Sequence, residues 1–347
     1  TLGLVLQACN LMIQDIESNI SFIGRIDRFG IRNPKFSDNP KEIDKAFARI
    51  FGAGLSDGHI DQFRVFCYCD TNRDRVDILK KHLSFFGEVD YAEKEVDGAI
   101  DVRFAAVLGR MLEKRGFCVG DKAVQNSGLP EFIQSGDIDT VIEYLKQLWA
   151  EDGHFLFGKD VRAHFGWTRA VSLTDPEKTK KYKLSSLFSS SLIEFIKTHG
   201  NYIDGNSFDK EGSYYPRFII HGSSISKLVD SEDNTISELA SLLSTVIEEN
   251  KPKLLIGEQQ LIKRIGAKSK SVCSEVIYYL DSGRVSALWR AKTRKLDDAM
   301  RVAVLAPPDD IVKKKKVQTW IQSQPERHAR ILGEITGSNL KMSPEDY

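Results

Sequence analysis

Two aspartates, each followed by glycine and each closing an apolar stretch with helical spacing, are the residues of this 347-residue chain best placed for chemistry: Asp57-Gly58 after IFGAGLS and Asp152-Gly153 after LKQLWAE. A bare carboxylate at a helix C-terminus is poorly placed, because the helix macrodipole is negative there. A bound cation resolves the conflict. Hard divalent ions such as Mg²⁺, or Mn²⁺ in its place, prefer carboxylate and phosphate oxygens, and an ion held between two carboxylates can activate a water and stabilise the leaving oxygen of a phosphodiester. If the two helices pack side by side, their last acids converge. Gly52, Ala53, Gly54 and Ser56 provide the small side chains for such an approach, and each helical glycine is tolerated at a cost of roughly 1 kcal/mol.

The elements that must position these acids occur twice. Residues 1–40 end in RFGIRNPKFSDNP, punctuated by Pro, Asn, Gly and Asp. A first unit, 41–129, then reads as a helix through Asp57, a strand-like HIDQFRVFCYCD and an amphipathic helix ending at Gly87; a strand pair turning at Asp97-Gly98, a helix and a short polar linker complete it. A second unit, 130–234, repeats that order: TVIEYLKQLWAEDG as helix, HFLFGKDVRAHFGWTRAVSLTD as strands, then a helix, the late strand YYPRFIIHG and a short helix. The two Asp-Gly pairs stand about 95 residues apart, which suits tandem duplication of one small unit rather than a solenoid. Residues 235–347 read as a mainly helical third region, with a helix-turn-helix expected over 256–283 and its tight turn at Gly266.

Composition bounds the possibilities without choosing among them. Lys plus Arg and Asp plus Glu both number 49, so attraction to a polyanion must come from local placement of charge. Five cysteines, with no CxxC pair and no zinc-like Cys/His spacing, point to a reduced intracellular protein. The opening TLGLVLQACNLMI lacks a basic start and reads poorly as a signal peptide. No stretch approaches the roughly 18 to 20 apolar residues of a membrane span.

With these residues in view, the two units resemble LAGLIDADG homing endonucleases of the single-chain, two-motif kind, over roughly Lys41 to Asp230. IFGAGLSDG matches the motif at Gly52 and at Asp57-Gly58; LKQLWAEDG matches at Leu145, Leu148, Asp152 and Gly153, with Gln147 standing where the family has glycine. The resemblance implies an α+β fold, a pseudo-symmetric pair of αββαββα half-domains, and a monomer acting on double-stranded DNA. It implies that Asp57 and Asp152 hold catalytic divalent ions, and that a basic residue from a late strand, Arg103 or Arg217, lies near each active site. It further implies DNA-facing residues on the sheets, for which Arg64, Tyr68, Lys159, Arg162 and Arg169 are the candidates, with Lys268 and Lys270 at the start of the second helix of the helix-turn-helix. On this resemblance the activity is site-specific hydrolysis of both DNA strands. The alternatives are a non-cleaving transcription regulator on the same scaffold, motivated by neutral charge and Gln147, and an RNA maturase. An intein is disfavoured, because the chain begins TLGLV and ends MSPEDY.

Other features take plainer readings. His59 and His154 follow the two motifs symmetrically and read as strand-starting residues facing phosphate or solvent rather than as metal ligands. Cys67 and Cys69 alternate on one strand as apolar filler. The run Lys313 to Lys316 reads as a solvated helix face or tail.

Overall fold

The computed structural model describes residues 19–24, 29–37, 39–157, 163–174, 190–204 and 215–337. In chain order the strands and helices begin with β1 (Phe22–Gly24), β2 (Gly30–Arg32), α1 (Pro40–Asp57), β3 (Gly58–Ile60) and β4 (Phe66–Asp70). There follow α2 (Arg73–Leu83), β5 (Glu88–Val89), β6 (Tyr91–Val96), β7 (Ala99–Phe104) and α3 (Ala106–Lys114). Next come α4 (Lys122–Gln125), α5 (Glu131–Gln134), α6 (Ile138–Glu151), β8 (His154–Phe157) and β9 (Ala163–Thr174). The chain continues with α7 (Ser190–His199), β10 (Asn201–Ile203), β11 (Arg217–His221), α8 (Gly222–Val229), α9 (Asn234–Glu249) and α10 (Lys253–Arg264). It closes with β12 (Ser269–Tyr279), β13 (Val285–Thr293), α11 (Leu296–Leu305), α12 (Ile311–Gln322) and α13 (Pro325–Gly337). The fold is α+β, built from repeated helix-strand-strand units. No helix among the described residues is long and apolar enough to cross a membrane.

Two compact units divide the chain: Thr1–Gly120 with Pro130–Phe157 and Ala299–Tyr347, and Asp121–Leu129 with Gly158–Asp298. In the first, α1 starts where Asn39 caps it, its side chain accepting from the Lys41 amide, and Pro40 fills the first turn, where no amide hydrogen is needed. An antiparallel sheet of order β3-β4-β7-β6 follows. The β6–β7 turn is made by Asp97 (φ 51°) and Gly98 (φ 79°), both left-handed, as a two-residue hairpin requires. Phe66, Tyr68, Val102 and Phe104 are buried on the covered face of this sheet. On the other face Cys67 pairs in register with Arg103, and Cys69 with Asp101.

The two central helices of this unit, α1 and α6, pack on one another, and Gly52 sets their distance. A Cβ on Gly52 would lie 2.6 Å from the Gln147 Cβ and 3.0 Å from the Tyr144 carbonyl oxygen. Gly54 serves a different neighbour, since its Cβ would meet the rings of Phe117 and Phe66. Only one of the two glycines therefore answers to the helix pair.

In the second unit the strands run β10-β11-β12-β13-β9, all antiparallel. Here the structure departs from the expected organisation. Residues 256–283 are not a helix-turn-helix: Gly266 (φ 78°) closes α10, with the Ala267 amide donating to Ile262, but Ser269–Tyr279 is a strand. The region 235–347 is correspondingly not mainly helical in its middle. A bulge between Cys273 and Glu275 shifts the strand's alternation by one residue, so Val272, Val276 and Ile277 fall at spacings that imitate a helix. Gly283 (φ 65°) then turns the chain into β13. The neighbour of β9 is β13 rather than β11, so β9-β13-β12 reproduces the β4-β7-β6 order of the first unit. Elements α7 to α9, with β10 and β11, are interposed in the chain before that repeat is completed. Asp121–Leu129, expected as a linker, carries α4 and belongs to this unit.

Candidate metal centre

Asp57 is the last residue of α1, directly before Gly58, and Glu151 the last of α6, two residues before Gly153. Asp57, Glu151 and Asp70 at the end of β4 place one carboxylate oxygen each within 4.8 Å of the others. Asp57 is exposed, while Asp70 and Glu151 are buried.

The buried pair is organised by Tyr68. Its hydroxyl lies 2.9 Å from Glu151 Oε2 and 3.1 Å from Asp70 Oδ2. One phenol carries one hydrogen, so both bonds can form together only when a carboxyl proton supplies the second. That fits the electrostatics: burial foremost, then the Asp57 charge, pushes the Glu151 carboxyl up to about 8. Burial beside Glu151 and Asp70 likewise pushes the Tyr68 phenol well above its ordinary value, which keeps it a donor. Arg75 Nη1 stands 3.2 Å from Asp70 and 3.9 Å from Glu151, and its Nε 3.3 Å from Asp310. Gln147 donates to Glu151 Oε1 at 2.6 Å along α6. Gln147 thus fixes the rotamer of the acid one turn later.

The donor set is three carboxylates with hard oxygens, the type that Mg²⁺ or Mn²⁺ takes. Like charges held this close raise each other's proton affinity, and a divalent ion would relieve the same repulsion that Glu151 relieves with a proton.

No family model matches the chain, and no curated protein does. Among solved structures, mesophilic variants of the homing endonuclease I-DmoI are similar to it at 7% identity and a TM-score of 0.33, covering 76% of this chain and 96% of that one. I-DmoI in complex with DNA and Mn is similar at 8% identity and a TM-score of 0.33, covering 76% of this chain and 97% of that one.

The residues expected at the site distribute unevenly. Asp57 lies in the acid group, but Asp152 does not: α6 ends one residue earlier than α1 does relative to its motif, leaving Asp152 as the half-buried cap and Glu151 as the converging acid. Of the two adjacent acids in AEDG, the one a helical turn after Gln147 is brought in. Arg103 is exposed on β7, its Nε 3.3 Å from Asp101. Arg217 is buried on β11 and belongs to the second unit, whereas the acid group belongs wholly to the first. His59 and His154 are exposed at the starts of β3 and β8 and are not in the group.

Two expected DNA-facing residues point into the protein instead. Tyr68 is fully buried on the covered face of its sheet and organises the acids. Arg169 is buried too: its Nη2 lies 2.6 Å and its Nε 3.0 Å from Glu258 of α10, which also accepts from Trp167 Nε1 at 2.8 Å. Both assignments fail by strand parity, since a shift of one residue exchanges the faces. Arg64 sits in the β3–β4 turn with φ 68° and pairs with Glu113 at 2.6 Å. Lys159 and Arg162 lie outside the described residues. Lys268 is exposed just before β12, and Lys270 is exposed on it.

Lys270 stands directly opposite Lys292 of β13, and Val272 opposite Arg290. Like charges facing each other across a strand pair are unfavourable on their own, and an anionic partner would reverse that sign. Arg290 and Lys292 were not legible as a pair with Lys270 in a segment read as helix, because the signal lies in register rather than in spacing.

Proposed function

We propose that this chain is a divalent-metal-dependent DNA endonuclease on a LAGLIDADG-type scaffold. The observation that carries the reading is the convergence of Asp57, Glu151 and Asp70 at the ends of two helices spaced by Gly52. A divalent ion bound there supplies Lewis acidity and lowers the pKa of a coordinated water. Asp57, Asp70 and Glu151 would hold the ion, with Asp57 the exposed member and the other two buried. Tyr68 and Gln147 orient Glu151, and Arg75 offsets the charge that remains when the ion is absent.

The bound polymer is double-stranded DNA, taken up by exposed cations on sheet faces, Lys270, Arg290 and Lys292 in the second unit and Arg103 in the first. One chain supplies both central helices, so a monomer suffices. Within the second unit the repeat in this reading comprises β9, α10, β12 and β13, with α7 to α9 as an insertion. A regulator that binds without cutting loses its support from a helix-turn-helix, since that segment is a hairpin.

The test is cleavage of a randomised target library in Mg²⁺, with Asp57→Asn and Glu151→Gln as variants. Hydrolysis that needs the ion and falls at least a hundredfold in both supports the assignment. Metal-dependent cutting that survives both changes, with Asp152→Asn inactive instead, refutes the proposed ligand set.

A further inference from the structure

A cavity of about 490 Å³ in the first unit shares no residue with the acid group. Its volume falls within the roughly 300–1,000 Å³ of small-molecule sites. Three neighbouring stretches form its wall: the segment before α1, the middle of α1, and the end of α2 with the 3₁₀ turn Ser84–Phe86 that follows. The Lys35 amide donates to the Phe86 carbonyl at 3.1 Å, which holds the leading segment against that turn.

The lining is cationic. Lys35, Arg49 and Lys81 converge on the cavity, and no carboxylate among the described residues lines it. Lys80, the neighbour of Lys81, is taken by Glu93 at 2.6 Å. Lys35 and Lys81 are exposed and have no ion-pair partner among the described residues. Arg49 gives its Nε to Glu143, which leaves the terminal N–H groups of the guanidinium to donate. A cleft lined by one sign of charge concentrates ions of the other.

His82 senses the same field from the wall. Its side chain is 14% exposed, and its Nε2 has no hydrogen-bond partner among the described residues. Burial foremost, then the Arg49 charge, pushes the imidazole down to about 4; Lys81 adds to this, while Gln147 and Glu143 oppose it. Asp309 Oδ2 stands 3.8 Å from that Nε2, beyond hydrogen-bond reach.

The rest of the lining suits a ligand with a ring. Phe36 and Phe85 are half-buried in the wall. Ser37 Oγ accepts from the Asn39 amide at 3.2 Å, so its own hydrogen is left to donate. A phosphate monoester carries about −1.5 to −2 charge at pH 7, whereas each phosphate within a nucleic-acid strand carries one, and three cations round one cavity match the larger charge. We propose that this cavity binds a free mononucleotide, with Lys35, Arg49 and Lys81 on its phosphate and Phe36 and Phe85 beside its base. The proposal stands independently of the endonuclease reading.

The test uses the full chain without divalent metal, so that the acid group does not recruit the phosphate. Isothermal titration calorimetry with AMP should give one site per chain with Kd below about 1 mM. Adenosine should not bind, and the double variant Lys35→Gln/Lys81→Gln, altered at two exposed positions, should bind AMP at least about tenfold more weakly, a loss of about one charge-assisted contact. In parallel, NMR follows the His82 ring, assigned among the seven histidines with His82→Gln. Saturating AMP should raise its pKa by about one unit, because an anion favours the imidazolium. Absence of AMP binding, binding that the double variant leaves unchanged, or an unmoved His82 overturns the site. Inorganic phosphate bound as tightly as AMP overturns the nucleotide assignment.

Discussion

Replacing Arg169 by methionine separates a structural role from a DNA contact. The guanidinium makes a two-atom contact with Glu258, at 2.6 and 3.0 Å, and Glu258 is completely buried. Methionine keeps most of the stem volume and removes the charge, leaving the Glu258 carboxylate with Trp167 Nε1 as its remaining donor in this trio. Removing one partner of a buried ion pair costs about 3–5 kcal/mol, because the survivor stays desolvated without its counter-charge. For a unit of roughly 150 residues that corresponds to a fall in Tm of about 6–20 °C. Differential scanning calorimetry reads it directly. Adding Glu258→Gln should recover much of the loss, since a neutral amide is cheaper to bury and its carbonyl still accepts from Trp167. DNA affinity, measured against salt well below the transition, should keep its slope; a phosphate contact would lower that slope by about 0.9. A Tm within about 1 °C of the unaltered protein, together with a reduced salt slope, would refute the buried-pair account and return Arg169 to the DNA face.

Two further outcomes follow from the first unit. Gly52→Ala should destabilise by up to about 2 kcal/mol, because overpacking of about 1–3 kcal/mol outweighs a helix-propensity gain of about 1 kcal/mol; a rise in denaturation midpoint would show that α1 and α6 are not in close approach. The Glu151 carboxyl is raised from 4.5 to about 8 in the fold, so its contribution to metal-free stability is complete below pH 4.5 and is lost as pH rises toward about 8. Urea midpoints across that window should therefore fall more steeply in the unaltered protein than in Glu151→Gln, and saturating Mg²⁺ should flatten the difference; identical pH profiles for the two proteins would contradict the shift.

How much of this could be read from residues alone depended on whether the controlling interaction was local. The start of α1 next to Pro40, within a residue of the expected Lys41, the turn at Asp97-Gly98 and the helix stop at Gly266 are decided within a few residues, and sequence placed them there. Asp57 was legible for the same reason. Choosing Glu151 over Asp152 was not, because the choice depends on how far α6 runs before Lys313, more than 160 positions away, takes its last carbonyls. Tyr68 and Arg169 were assigned to the wrong face because strand parity is set by the covering helices. The hairpin at Ser269–Thr293 was hidden by its bulge, which broke the alternation that would have revealed it.

The pairing of β9 with β13 also has a consequence for how the chain is made. Thr174 and Val285 are register partners with more than a hundred residues of chain between them. At synthesis rates of about 5–20 residues per second, β9 leaves the ribosome roughly 5–20 s before its neighbour exists. During that interval a twelve-residue strand carrying Phe165, Trp167, Val171 and Leu173 has no partner on its β13 side. The interposed α7 to α9 segment, which separates the two in sequence, is what fills the wait, and chaperone demand during biosynthesis should scale with its length.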